Sequence, residues 1–138
     1  MKRLFVLTVV GLISSMTLFA QPKAHKVVFD FTKADTASFT TMVLQLKNIV
    51  NASPSSSLEV VCYGPGIDFL MKARTTKMAE IEEFQTKHNI VFAACEASLR
   101  RRGIDKSELV PQTKTVPLAS LEISTREQEG WSYIKAGY

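Results

Sequence analysis

The sequence predicts an α/β domain of three layers, a mainly parallel sheet with helices on both faces. Short apolar runs rich in Val, Ile and Phe recur along the chain, and stretches with the 3.6-residue helical period lie between them. The runs lack strict polar alternation, which suits strands covered on both faces. A chain of 138 residues is enough for one such domain with a real core.

Residues 1–20 precede the first strand and have a different character. Lys2 and Arg3 form a basic start, Leu4 to Ile13 form an apolar stretch broken only by Thr8 and Gly11, and Ala20 offers a small residue before Gln21. This is the pattern of a secretory signal peptide, and the apolar stretch is short for a full membrane span of about 20 residues. The expectation is a signal peptide over 1–20 and a single domain over 21–138, periplasmic or otherwise exported. No membrane segment would remain after cleavage.

Four runs are expected as strands: Lys26–Phe31, Leu58–Tyr63, Ile90–Ala94 and Thr115–Leu118. A first helix is indicated by Phe39, Met42, Val43, Leu46, Ile49 and Val50, with Asp35 or Thr36 as its N-cap. A second helical region runs from about Ile67 to Lys87, broken near Thr75-Thr76. A third, short helix starts near Cys95 and stops at Gly103, a natural end after Arg100-Arg101-Arg102. A last helix is expected over Ser120 to Ile134, carrying the aromatics Trp131 and Tyr133.

Charge excludes some partners. Removing Lys2 and Arg3 from the 17 basic residues leaves 15 against 13 acidic ones. So small an excess gives no reason to expect nucleic acid or an anionic membrane as a partner. No His/Cys/Asp cluster has metal-ligand spacing, neither glycine-rich phosphate loop is present, and no cofactor is implied.

In parallel α/β sheets the functional crevice lies outside the carboxyl ends of the strands. His25 and His88 precede strands, at the other edge. Two features fall at the carboxyl edge. Cys95 stands where the third strand gives way to a helix, and the first turn of a helix favours a thiolate through its unpaired N–H groups and dipole. Glu96 beside it opposes that effect. The alternative is a packed structural thiol. The turn Gly64-Pro65-Gly66, after Tyr63, is either a plain connection or a wall of the pocket around Cys95. Arg100-Arg101-Arg102 is a solvated helix end, a subunit contact or an anion attractor. Cys62, inside a strand, is expected as a core thiol. Were the first strand to lie between the second and third, the cysteines would be about 10 Å apart, so two free thiols are expected.

Read together, these segments resemble the DsrE/DsrF-like sulfur-relay family. Val60-Val61-Cys62-Tyr63-Gly64-Pro65-Gly66-Ile67 resembles its VVxHGPGI segment, and Phe92-Ala93-Ala94-Cys95-Glu96-Ala97-Ser98-Leu99-Arg100 its FxACxNTLR segment. Leu109-Val110-Pro111, Val116-Pro117 and the stretch from Gln128 to Lys135 match the C-terminal part of the family's pattern, in order. The resemblance implies a flavodoxin-like fold, homo-oligomers (trimers or hexamers), and a cysteine that carries sulfane sulfur as a persulfide. That cysteine maps onto Cys95. A sulfur donor or acceptor protein would be its partner. Tyr63 stands where many relatives carry His, and Ala97 where many carry Asn. A non-catalytic oligomeric module, binding a small ligand or a protein, is the alternative on the same fold.

Overall fold

The first apolar run forms β1 (Lys26–Phe31), at the bounds its composition suggests. The computed structural model describes residues 23–137, so the expected signal peptide, residues 1–20, lies outside the described residues. Helix α1 (Thr36–Ala52) comes next, and Asp35 caps it by accepting from the Ser38 N–H at 2.8 Å. After it come β2 (Ser57–Cys62), a 3₁₀ turn over Gly64–Leu70 and α2 (Met78–Lys87). The break expected near Thr75-Thr76 is therefore wider. The part from Ile67 is 3₁₀, and Met71 then pairs with Leu109 in an isolated bridge. Strand β3 (Val91–Cys95) runs directly into α3 (Glu96–Arg102), which ends at Gly103 in the left-handed region, φ 64°. The chain closes with β4 (Lys114–Val116), α4 (Ala119–Gln128) and β5 (Ser132–Ala136).

The final element corrects the sequence reading. The helix expected to reach Ile134 stops at Gln128, Gly130 turns the chain at φ 83°, and Tyr133 lies on a strand. Strand β5 pairs parallel with β1, Val27 opposite Ser132 through Phe31 opposite Ala136. It is an edge strand with mostly exposed residues, so it lacks the continuous apolar run that marks the buried strands.

All pairs are parallel, and the order is β4-β3-β2-β1-β5. Strand β1 therefore does not lie between β2 and β3, which are hydrogen-bonded neighbours. From β1 to β4 the chain steps across the sheet in one direction, then returns past β1 to form β5. Right-handed crossovers put helices of the outward steps on one face and the helix of the return step on the other. Core packing agrees. Phe39, Met42 and Leu46 of α1, Ile81 and Phe84 of α2 and Leu99 of α3 share a cluster with Phe29, Phe31 and Cys62. Ala119 and Ile123 of α4 pack on Val28, Val61, Ala93 and Cys95 on the opposite face. Phe69 holds the first cluster together, its ring 5.1 Å from that of Phe31 and 5.2 Å from that of Phe39. Among the described residues no helix is long and apolar enough to cross a membrane.

Candidate functional site

Alternation along a strand decides where each cysteine points. Cys62 pairs in register with Ala94, so its side chain shares the face of Ala94, under α1 and α2. Cys95 is one residue further and projects to the α4 face. Both cysteines are free. The expectation of two free thiols holds, but the sheet itself keeps the sulfurs apart, not an intervening strand.

Cys95 ends β3 and is the N-cap residue of α3, with extended backbone at φ −71° and ψ 116°. An N-cap side chain lies beside the first-turn N–H groups, and here the side chain is a thiol. Although only 4% exposed, it forms part of the wall of a cavity of about 190 Å³ at the carboxyl end of the sheet. Tyr63, Ser98, Arg101, Leu118 and Ser120 line the same cavity.

Two effects compete on the thiol. Burial pushes it up. The N–H and hydroxyl of Ser98, with the N–H groups of Ala119 and Ala97, favour the thiolate and outweigh burial, so Cys95 lies below the ordinary thiol value. Ala97 and Ser98 belong to the first turn of α3, and Ala119 opens α4. Cys62 is the contrast. Fully buried, with the Asp30 carboxylate as a second cause, it is pushed far above the thiol range.

The turn after β2 reaches the site indirectly. Gly64, at φ 53°, donates its N–H to Ser98 Oγ at 2.9 Å, and its carbonyl accepts from Arg102 Nη1 at 2.9 Å. Arg102 also pairs with Asp68, within the turn segment. At Gly66 a Cβ would run into the Phe31 carbonyl, so this residue lets the turn close on β1. Gly64, Pro65 and Gly66 do not themselves line the cavity; Tyr63 does.

Glu96 is turned away from the sulfur. Its carboxylate accepts from Lys106 Nζ at 2.6 Å and Thr115 Oγ1 at 2.9 Å, with Arg100 at 3.9 Å, and the first two hold it below the usual carboxylate range. It borders a separate depression with Leu99, Arg100 and Lys106. The opposition expected from its charge is therefore largely neutralised. Within the basic run, Arg101 faces the thiol's cavity, whereas Arg100 turns to Glu96 and Arg102 ties down the turn.

Next to the cavity, Tyr63 is pushed up to about 12, by burial first and then by the Asp30 carboxylate. Asp30 is 5% exposed; its Oδ2 accepts from Tyr133 Oη at 2.8 Å and Lys135 Nζ at 3.4 Å. Sequence reading did not single out Ser98 or Asp30. Ser98 was legible as the third residue after an N-cap, the position whose N–H an N-cap side chain meets. Asp30 was legible as a charge inside the buried run KVVFDF, since buried polar residues are the informative ones. His25 and His88 lie at the amino ends of the strands, far from this edge. Among the described residues no group of three His, Cys, Asp or Glu side chains is placed to hold a metal ion.

Known proteins share this outline. No curated protein matches the chain. Among solved structures, protein MTH1491 of Methanobacterium thermoautotrophicum, described as of unknown function, is similar with a TM-score of 0.75 and 26% identity, covering 80% of this chain and 98% of that one. The ychN protein of E. coli is similar in fold, with a TM-score of 0.69 at 13% identity and the same two coverages. The model of the DsrE/DsrF-like family matches residues 25–136, nearly the whole of the described structure. The chain belongs to the DsrE/DsrF-like family.

Proposed function

We propose that this protein is an exported sulfur carrier in which Cys95 holds sulfane sulfur as a persulfide. The observation that carries this reading is a thiol with a lowered pKa in the wall of a small cavity, while the other thiol is sealed in the core. The thiolate attacks a sulfane sulfur of the donor. A new S–S bond forms at Cys95, and the donor's own S–S bond breaks, its electron pair leaving with the donor. Transfer to an acceptor thiol reverses the geometry and returns Cys95 as thiolate. Export rests on the character of residues 1–20, and trimers or hexamers on the family resemblance. An exported carrier would meet donor and acceptor proteins of its own compartment.

The test is cyanide release. Protein treated with polysulfide and freed of excess is expected to yield about one thiocyanate per chain, and Cys95→Ser none (a persulfide is a reversible cap). Equal yields from both proteins contradict the proposal. The low exposure of Cys95 favours a second reading, a binding module in which this thiol only packs. Under that reading neither protein yields thiocyanate.

A further inference from the structure

The carrier reading leaves the chemistry of the sulfur donor open, and the wall around Cys95 narrows it. Arg100, Arg101 and Arg102 follow one another in sequence, but two of them are engaged elsewhere. Arg100 lies 3.9 Å from the Glu96 carboxylate, and Arg102 pairs with Asp68 and the Gly64 carbonyl. Arg101 has no carboxylate partner among the described residues, and its guanidinium is the charged group lining the cavity with Cys95. No carboxylate lines that cavity. Glu96, the next residue in the chain, is held by Lys106 and Thr115 beside a separate depression. The wall is therefore positive.

Charge alone would suit any anion, and the hydrogen-bonding groups are more selective. Leu118, the N-cap of α4, has an apolar side chain that accepts nothing, so the positive end of that helix opens on the cavity at Ala119 and Ser120 without a capping side chain. The Ser120 hydroxyl has no hydrogen-bond partner among the described residues and lines the same cavity. Guanidinium, hydroxyl and amide hydrogens bond well to charged oxygen and weakly to sulfur. A ligand with oxygens satisfies this wall better than a chain of bare sulfur atoms does. Size limits it further. At about 190 Å³ the cavity is smaller than the roughly 300 Å³ at which sites for drug-sized ligands begin.

We propose that the cavity beside Cys95 takes a small sulfur oxyanion with a terminal sulfane sulfur, thiosulfate or an alkanethiosulfonate, as the donor. This rests on the carrier reading and names its substrate class. Arg101, Ser120 and the start of α4 hold the oxygens, and the terminal sulfur meets Cys95. The Cys95 thiolate attacks that sulfur. A bond forms between the two, the bond from the terminal sulfur to the oxygen-bearing sulfur breaks, and its electron pair leaves with the latter. Thiosulfate departs as sulfite and an alkanethiosulfonate as sulfinate. Cys95 keeps the sulfur as a persulfide anion, the charges balance, and no further oxidant or reductant enters. Arg101 offsets the repulsion between thiolate and donor as the two anions meet.

The experiment supplies thiosulfate or methanethiosulfonate as the sole sulfur source, with cyanide as acceptor, and reads thiocyanate formed above the rate without protein. Wild type is expected to turn over at least one of them saturably, and Cys95→Ser neither. Arg101→Ala is expected to lower kcat/KM for that donor at least about tenfold, mainly through KM, and Arg101→Lys to fall between the two. Loading of Arg101→Ala from polysulfide is expected to slow by a smaller factor. Arg101 is exposed, so neither substitution threatens the fold. Wild type that loads from polysulfide but turns over neither oxyanion overturns the donor assignment and leaves the carrier reading intact. So does an Arg101→Ala variant that loses no more with the oxyanion than with polysulfide. Wild type that takes sulfur from none of the three overturns the carrier reading itself.

Discussion

The Gly64 N–H donates to Ser98 Oγ at 2.9 Å, joining the end of β2 to the first turn of α3. Its oxygen engaged as acceptor, the Ser98 hydroxyl is among the groups that favour the Cys95 thiolate. Ser98 thus acts on the thiol twice, through its N–H and through its hydroxyl. The turn Gly64-Pro65-Gly66 contributes by orienting Ser98, not by lining the cavity.

Ser98→Ala removes the hydroxyl and keeps the N–H. The Cys95 thiol is expected to rise, and its alkylation by iodoacetamide at neutral pH to slow several-fold. Gly64 also loses its partner, which costs about 1 kcal/mol of stability in urea unfolding. An unchanged alkylation pH profile would show that the hydroxyl does not act on the sulfur.

Stability should carry the signature of Cys95. Its folded value lies below the unfolded one, so the fold favours the thiolate. The resulting stabilisation is fully present above the unfolded thiol value of about 8.5 and is lost as pH falls through the folded value. Under reducing conditions, wild type is therefore expected to gain on Cys95→Ala as pH rises from about 6 to about 9. A difference that stays flat over that interval contradicts the lowered value.

Arg101 is the guanidinium lining the thiol's cavity. Arg101→Ala is expected to slow loading by anionic polysulfide by several-fold and to affect reaction with neutral iodoacetamide much less, because the charge assists an anion specifically. Equal slowing of both reagents would assign Arg101 to shaping the cavity and not to attracting the donor.

Gly66→Ala places a methyl group against the carbonyl of Phe31, a backbone atom that cannot turn aside. A loss of roughly 2–4 kcal/mol is expected in urea unfolding, within the range for overpacking or backbone displacement in a core. Gly103→Ala has open space around it and strain only from its positive φ, so a smaller loss of about 1 kcal/mol is expected there.

The buried strands were readable because burial on both faces leaves continuous apolar runs, as in Val27-Val28-Phe29 and Val60-Val61-Cys62. Helix α1 was readable with its cap narrowed to Asp35 or Thr36, and the structure selects Asp35. Strand β5 was not, because an edge strand with Ser132, Tyr133 and Lys135 exposed resembles the polar face of a helix as closely as it does a strand. Strand order was not readable either. Local sequence sets which segments are strands, but the neighbours of β2 are chosen by crossovers between distant segments. The site divides along the same line. Cys95 at a strand-to-helix junction is a local feature, whereas Arg101 facing the cavity, Asp30 behind Tyr63 and the tie from Gly64 to Ser98 are made by segments distant in the chain or by the rotation of one helix.

The most direct measurement is peptide-level mass spectrometry of the polysulfide-treated, alkylated protein. An increment of about 32 Da on the peptide holding Cys95, and none on the peptide holding Cys62, is the predicted result. Sulfur on Cys62, or on neither cysteine, would mean that the thiol at the start of α3 is not the carrier.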